Sequence, residues 1–189
     1  MAAPAIEGRP PKPETTMRSM ILAALAAIAL PAIAHAQAPE TLETPVIDTK
    51  GAAIGRLVLR GGAAGVIIRV QLQAGALAPG WHGVHLHAVG DCSDTEKFMN
   101  SKAHLNHDNR KHGLLNGEGP DNGDLPNVFA AADGSVNAEL FTPFARLSGG
   151  ATALRKPEGS AFIIHAAEDD HATQPIGNAG ARVGCAVIR

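Results

Sequence analysis

The sequence predicts an all-β domain: about eight short strands closed into a barrel or sandwich, with two long functional loops carrying the polar chemistry. Three observations predict it. Apolar and polar residues alternate with the period of two expected of strands from Pro45 onward. Glycines fall between the runs, as hairpin turns require. The alternation then stops twice, once for about forty residues after His87 and again over 166–181, and histidines and aspartates gather in and around those gaps.

The first three strands are expected over 45–48, 54–59 and 66–72, punctuated by Gly51, Gly61-Gly62 and Gly75. The fourth, 81–87, reads W-H-G-V-H-L-H and is entered through Pro79-Gly80. Strand side chains alternate faces, so His85 and His87 point one way and His82 the other. Strands return at 127–132 and 136–141 on either side of Asp133-Gly134, and Phe129 and Phe141 are assigned to the core. A short apolar run, 161–165, ends in His165, and 183–188 closes the chain with Cys185. The long gap after His87 holds Cys92, His104, His107, His112, Asp121 and Asp124, so a bridge and bound metal can order it where apolar residues are scarce.

The chain has 189 residues, 45% of them hydrophobic and 18% charged, which suits one domain. Aromatic residues make up 3% and tyrosine is absent, so the core must rely on Val, Ile, Leu and Ala. The net charge of -2 argues against nucleic acid as a partner, because phosphate neutralisation needs clustered Lys and Arg. Arg18, the apolar run 20–33 and Ala34-His35-Ala36 form a secretory signal pattern with cleavage after Ala36. The apolar run is too short for a spanning helix, so no membrane association is expected of the mature form. The organisation read from this is a removed extension and signal peptide over 1–36, with translation starting at Met1 or Met17, a flexible arm over 37–44, and one domain over 45–189. The destination is periplasmic or secreted. Export makes a Cys92–Cys185 disulfide the favoured reading, contributing roughly 4 to 5 kcal/mol by chain entropy; two separate buried thiols are the alternative.

Taken alone, His85 and His87 are equally an exposed pair or the floor of a metal site. The remaining residues group around them. His85, His87, His104 and His165 offer four imidazoles, a set that suits copper. His104, His112, Asp121 and Asp124 offer mixed nitrogen and oxygen donors, which suit zinc, and a shared His104 would join the two groups.

Six motifs follow one another in order: H-G-V-H-L-H at 82–87, H-L-N at 104–106, H-G at 112–113, G-D-L-P-N at 123–127, I-H-A-A-E-D-D-H at 164–171 and G-N-A-G-A-R-V-G-C-A-V-I at 177–188. In these motifs the chain resembles the copper/zinc superoxide dismutases, and their bacterial exported branch most closely. The resemblance covers about 45–189 and implies a Greek-key barrel that disproportionates superoxide to oxygen and hydrogen peroxide. It makes His85, His87 and His165 copper ligands and His104 the imidazolate bridging copper to zinc, a ligand that also carries a proton when copper is reduced. It makes His112 and Asp124 zinc ligands, Cys92 and Cys185 the disulfide, and Arg182 the residue that attracts the anionic substrate. Asp169 falls where the family has a carboxylate linking a copper-ligand histidine, His87 or His85, to His112. A homodimer is compatible with the resemblance.

One position departs from the family pattern. Three residues before the zinc aspartate the family has a histidine, and this chain has Asp121. A carboxylate oxygen reaches about as far as the near ring nitrogen of a histidine, so Asp121 is expected as an oxygen donor to a zinc site of altered strength. His107 and His171 are assigned to surface or loop packing, and His82 to backbone hydrogen bonds beneath the site. Met99, Lys102, Arg110 and Lys111 are read as solvated loop residues. The alternative to an enzyme is a non-catalytic exported protein that binds or delivers copper on the same fold.

Overall fold

Among the described residues, backbone alternation between inward aliphatic and outward polar residues builds nine strands: β1 (Glu40–Asp48), β2 (Ala53–Gly62), β3 (Gly65–Leu72), β4 (Gly80–His82), β5 (Val84–His87), β6 (Val128–Ala130), β7 (Val136–Thr142), β8 (Ser160–His165) and β9 (Arg182–Ile188). A single 3₁₀ turn, Met99–Ser101, lies in the long loop after β5. This computed structural model describes residues 39–189 together with Met1, Ala2 and Gly8. The signal peptide expected over 1–36 otherwise lies outside the described residues.

Seven strands form one antiparallel sheet in the order β5-β8-β9-β1-β2-β3-β7, and β4 pairs with β6 in a second ladder. The short ladder continues directly into both edges of the large sheet. β4 runs into edge strand β5 through Gly83, and β6 runs into edge strand β7 through the turn at Asp133-Gly134. The curled sheet is thus joined edge to edge into a Greek-key barrel.

Two expectations change here. Residues 40–44, expected as an arm, are the first half of β1, with Glu40 opposite Gly61 and Thr44 opposite Leu57. Leu42 packs against the core, Glu43 pairs with Arg56 at 3.0 Å, and Glu40 accepts from Ser148 Oγ at 2.7 Å. The expected fourth strand is two strands, because Gly83 leaves the ladder of β4: its N–H donates to the Ala167 carbonyl and its own carbonyl accepts from His165, both at 2.8 Å.

The core is aliphatic, as the composition requires. Leu57, Leu59, Val66, Ile68, Val70, Leu86, Leu125, Phe162 and Ile164 are fully buried in it. Phe129 and Phe141 are corrected from core to surface; each is about half exposed (52% and 51%). Register is the cause, since Val128 and Ala130 take the inward positions of β6 and leave Phe129 outside, against Trp81 at 5.0 Å.

Cys92 and Cys185 form the disulfide, with Cα atoms 6.0 Å apart. Around it Phe98, Ala161 and Ile163 make a second apolar cluster, which pins the start of the long loop against β8 and β9. Further along, the same loop docks on the open edge of β5: Leu86 donates to the Gly123 carbonyl at 2.9 Å and accepts from Leu105 at 2.8 Å. Gly123 is required there, because a Cβ would stand 2.3 Å from the Leu86 carbonyl oxygen. The loop therefore covers a sheet edge and brings its histidines onto the face of β5 opposite the core.

Candidate metal centre

Every residue of β5 is buried, but the two faces differ. Val84 and Leu86 enter the aliphatic core, whereas His85 and His87 turn toward the loops. Pairing of β5 with β8 and of β8 with β9 sets His165 beside them and places Arg182 opposite His165. The docked loop adds His104, whose backbone bridges to His87, and Asp124, whose backbone bridges to His85.

The result is two adjoining groups. Potential ligand atoms of His85, His87 and His165 lie within 4.8 Å of one another, as do those of His104, His112, Asp121 and Asp124. The His104 ring stands between the groups, its centroid 4.2 Å from that of His85, 5.2 Å from that of His87 and 5.3 Å from that of His112. All of these side chains are buried. His107 is exposed and belongs to neither group.

Hydrogen bonds fix each ring through one nitrogen and leave the other bare. His87 Nδ1 donates to the Lys102 carbonyl at 2.8 Å, and His165 Nδ1 to the Gly180 carbonyl at 2.9 Å. His85 Nε2 meets Asp169 Oδ2 at 2.7 Å, and His104 Nδ1 meets Asp121 Oδ2 at 2.9 Å. The opposite nitrogens, His85 Nδ1, His87 Nε2, His104 Nε2 and His165 Nε2, are buried without a hydrogen-bond partner. Buried polar atoms are rarely left so, and four such orphans on adjoining rings fit a nitrogen-ligated metal.

The second group is oxygen-rich. His112 Nδ1 meets Asp124 Oδ1 at 2.6 Å and its Nε2 meets Asp169 Oδ1 at 3.2 Å. Asp124 Oδ2 accepts from the backbone of Gly113 at 2.7 Å and of Asp121 at 2.9 Å. Asp169 links the two groups through His85 and His112, which settles the partner that the sequence left between His85 and His87. Gly177 makes room for it, since a Cβ there would lie 1.6 Å from Asp169 Oδ1.

The electrostatics divide the rings. Burial pushes His85 down to about 3 and His165 down to about 4, and holds His87 well below its ordinary value, with the His104 and Arg182 charges acting the same way on His87. Burial also opposes charge on His112, yet Asp124 and Asp169 hold it up to about 10. His104 is raised as well, Asp121 and Asp124 outweighing burial. Asp124 and Asp169 lie below the usual carboxylate range; burial works against this, and the nearby His104 with the hydrogen bond from His112 for the first, and the hydrogen bonds from His112 and His85 for the second, prevail. The first group is thus held as neutral nitrogen, and the second sets the Asp124 carboxylate against two imidazoles held toward their charged form.

Arg182 stands at the mouth. Its Nη1 donates to the Phe98 carbonyl at 2.7 Å and to Ser101 Oγ at 3.0 Å, and its Nη2 to the Lys102 carbonyl at 2.8 Å. It lines a cleft of about 310 Å³ with His87, His104, Asp121 and Arg110. A guanidinium has five N–H donors, so some remain for an anion in the cleft. Lys102 and Arg110 are exposed, as expected of solvated loop residues. Arg110 also lines the cleft, and Lys102 contributes through its carbonyl, for which no side-chain signal exists. His82 meets only backbone carbonyls, that of His165 at 2.7 Å and that of Ala78 at 2.8 Å, beneath the site as expected.

A Greek-key barrel with two adjoining buried histidine and aspartate groups below an arginine-lined cleft defines a metal-binding β-barrel protein. Residues 54–188 match the family model of copper/zinc superoxide dismutase (SODC), and the chain belongs to that family. It is 48% identical over 128 residues to the Cu-Zn superoxide dismutase of Caulobacter vibrioides, covering 66% of this chain and 72% of that one. Among solved structures it resembles a superoxide dismutase-like protein of Bacillus subtilis, at 32% identity with a TM-score of 0.73 over 78% of this chain and 97% of that one. The Cu/Zn superoxide dismutase of Brucella abortus superposes with a TM-score of 0.64 at 26% identity, over 79% of this chain and all of that one.

Proposed function

We propose that this chain is an exported superoxide dismutase, with copper held by His85, His87, His104 and His165 and zinc by His104, His112, Asp121 and Asp124. The observation that carries the reading is the set of four buried, partnerless nitrogens on the adjoining rings of His85, His87, His104 and His165, two of which line the cleft with Arg182. Bound copper supplies one-electron chemistry, so that one superoxide is oxidised to dioxygen while a second is reduced and takes two protons to become hydrogen peroxide.

The chain's own residues supply the rest. Arg182, fixed by three acceptors, holds positive charge at the mouth of the cleft, where a small anion must enter. Because the net charge is -2, attraction comes from this local field and not from the protein as a whole. His104 Nε2 is the nitrogen placed to hold and release a proton beside the reacting oxygen. Lys102 and Gly180 carbonyls and Asp169 hold the other rings in the tautomers that leave a lone pair facing inward. Export is supported by the Cys92–Cys185 bond, which persists in oxidising compartments, and by the leader pattern before Gln37.

The test is metal analysis of the purified protein beside a superoxide-consumption assay. Copper bound together with rapid consumption is expected. One copper per chain without turnover would instead favour a copper-binding or copper-delivery protein.

A further inference from the structure

We infer that Asp121 positions His104 for copper in the absence of zinc, so that the copper group is preformed in the zinc-free protein. This deepens the proposed function and rests on its assignment of His85, His87, His104 and His165 to copper.

The argument starts from a pattern shared by the four rings. Each ties one nitrogen to an oxygen acceptor and leaves the other bare and buried: His85 to Asp169, His87 to the Lys102 carbonyl, His165 to the Gly180 carbonyl and His104 to Asp121. A metal-ligating histidine typically donates its second N–H to such an acceptor, which fixes the tautomer and the ring plane. A ring whose Nδ1 is needed for zinc has no such acceptor at that atom. His104 has one.

The surroundings make Asp121 specific for this role. Its Oδ1 accepts from the Gly123 N–H at 2.9 Å, which orients the carboxylate, and its Oδ2 faces His104 Nδ1. Asp124 cannot take its place: Asp124 Oδ1 lies 3.6 Å from His104 Nδ1 and already accepts from His112, while Oδ2 accepts from two backbone N–H groups. A carboxylate only accepts, so the neutral His104 ring facing it carries its proton on Nδ1 and its lone pair on the buried, partnerless Nε2. A histidine at position 121 could donate or accept and would not impose this choice. Asp121 therefore has two alternating uses, as an oxygen donor to zinc and, without zinc, as the acceptor that holds the bridge.

The test loads zinc-free mature protein with Cu(II) alone and measures affinity by competition and the nitrogen hyperfine pattern by electron paramagnetic resonance. Wild type should show four nitrogen ligands. Asp121→Ala should weaken copper about 10-fold or more and lose one nitrogen from the pattern, and Asp121→Asn, which keeps a carbonyl acceptor, should restore both. Unchanged affinity and spectrum in Asp121→Ala overturn the inference. His165→Ala separates it from the underlying assignment, because unchanged copper affinity and an unchanged four-nitrogen pattern in this variant would refute the copper group itself. A readout free of variant folding is nitrogen-15 NMR of the metal-free wild type at alkaline pH, where the Nδ1–H tautomer of His104 is expected and the Nε2–H tautomer would overturn the inference.

Discussion

His87 and Arg182 donate to the same atom, the carbonyl oxygen of Lys102, at 2.8 Å each. One backbone group thus orients a proposed copper ligand and the cation that faces the substrate cleft. That carbonyl belongs to the segment anchored by Phe98 and by the Cys92–Cys185 bond. Replacing both cysteines by alanine should cost roughly 4 kcal/mol of stability in the chain-entropy picture. It should also lower turnover at temperatures where the protein stays folded, through a looser Arg182. A variant that unfolds earlier in urea yet keeps full turnover per copper would show that the bond does not position Arg182.

Arg182→Ala removes the charge while leaving all four proposed copper rings with their acceptors. Turnover should fall about 10-fold at low ionic strength, and the remaining activity should depend less on salt. Copper content should not change. Wild-type rates at low salt in the variant would exclude the attracting role.

Asp169→Asn should disturb both groups at once, because its two oxygens hold His85 Nε2 and His112 Nε2. An amide offers one oxygen and one donor nitrogen, so one of the two rings loses its acceptor. Affinity for copper, zinc or both should drop about 10-fold or more in competition with a chelator. If neither affinity moves, the link is not a determinant of metal binding.

At position 121 the chain replaces a family histidine by a carboxylate, and Asp121→His should raise zinc affinity about 10-fold. Equal zinc content and affinity in the two proteins would make Asp121 an equivalent ligand and the replacement neutral.

The metal-free chain should be most stable near pH 6.5. His112, held up to about 10, gives stability that is complete below its ordinary 6.5 and is lost as pH rises through about 10. His85 and His165 act with the opposite sign. Their values of about 3 and about 4 lie below 6.5, so their stability is complete above 6.5 and is lost as pH falls toward those values. Asp124 and Asp169, held below the usual carboxylate range, extend the acid loss further. Urea midpoints of chelator-treated protein across this range check the prediction; stability that keeps rising above pH 8 would contradict the role given to His112.

Much of the fold was legible because strand alternation depends on residue type alone. The runs that became β2, β3, β7, β8 and β9 were found with ends shifted by a few residues at most. The same alternation places His85 and His87 on one face, and ordered motifs join His104, His112, Asp121, Asp124, His165 and Arg182 to them from residue type and spacing alone. Two cysteines behind a leader pattern were enough to favour the bond. Local rules failed where a partner strand decides the outcome. Residues 40–44 looked like a polar arm until β2 and Arg56 gave them partners, and Phe129 looked like core until register sent Val128 and Ala130 inward.

What the sequence by itself determined is the supply of groups: four imidazoles able to face one point, a mixed set with a carboxylate at 121, and an arginine near the last strand. What only the tertiary structure decided is how those groups are held. The carbonyls of Lys102 and Gly180 have no residue-type signature, and the choice of His85 over His87 by Asp169 depends on which ring nitrogen faces it after the loops dock. The physical reason is that ligand identity is written in side chains, whereas ligand orientation is set by acceptors that become neighbours only when the barrel closes and its loops cover the edge of β5.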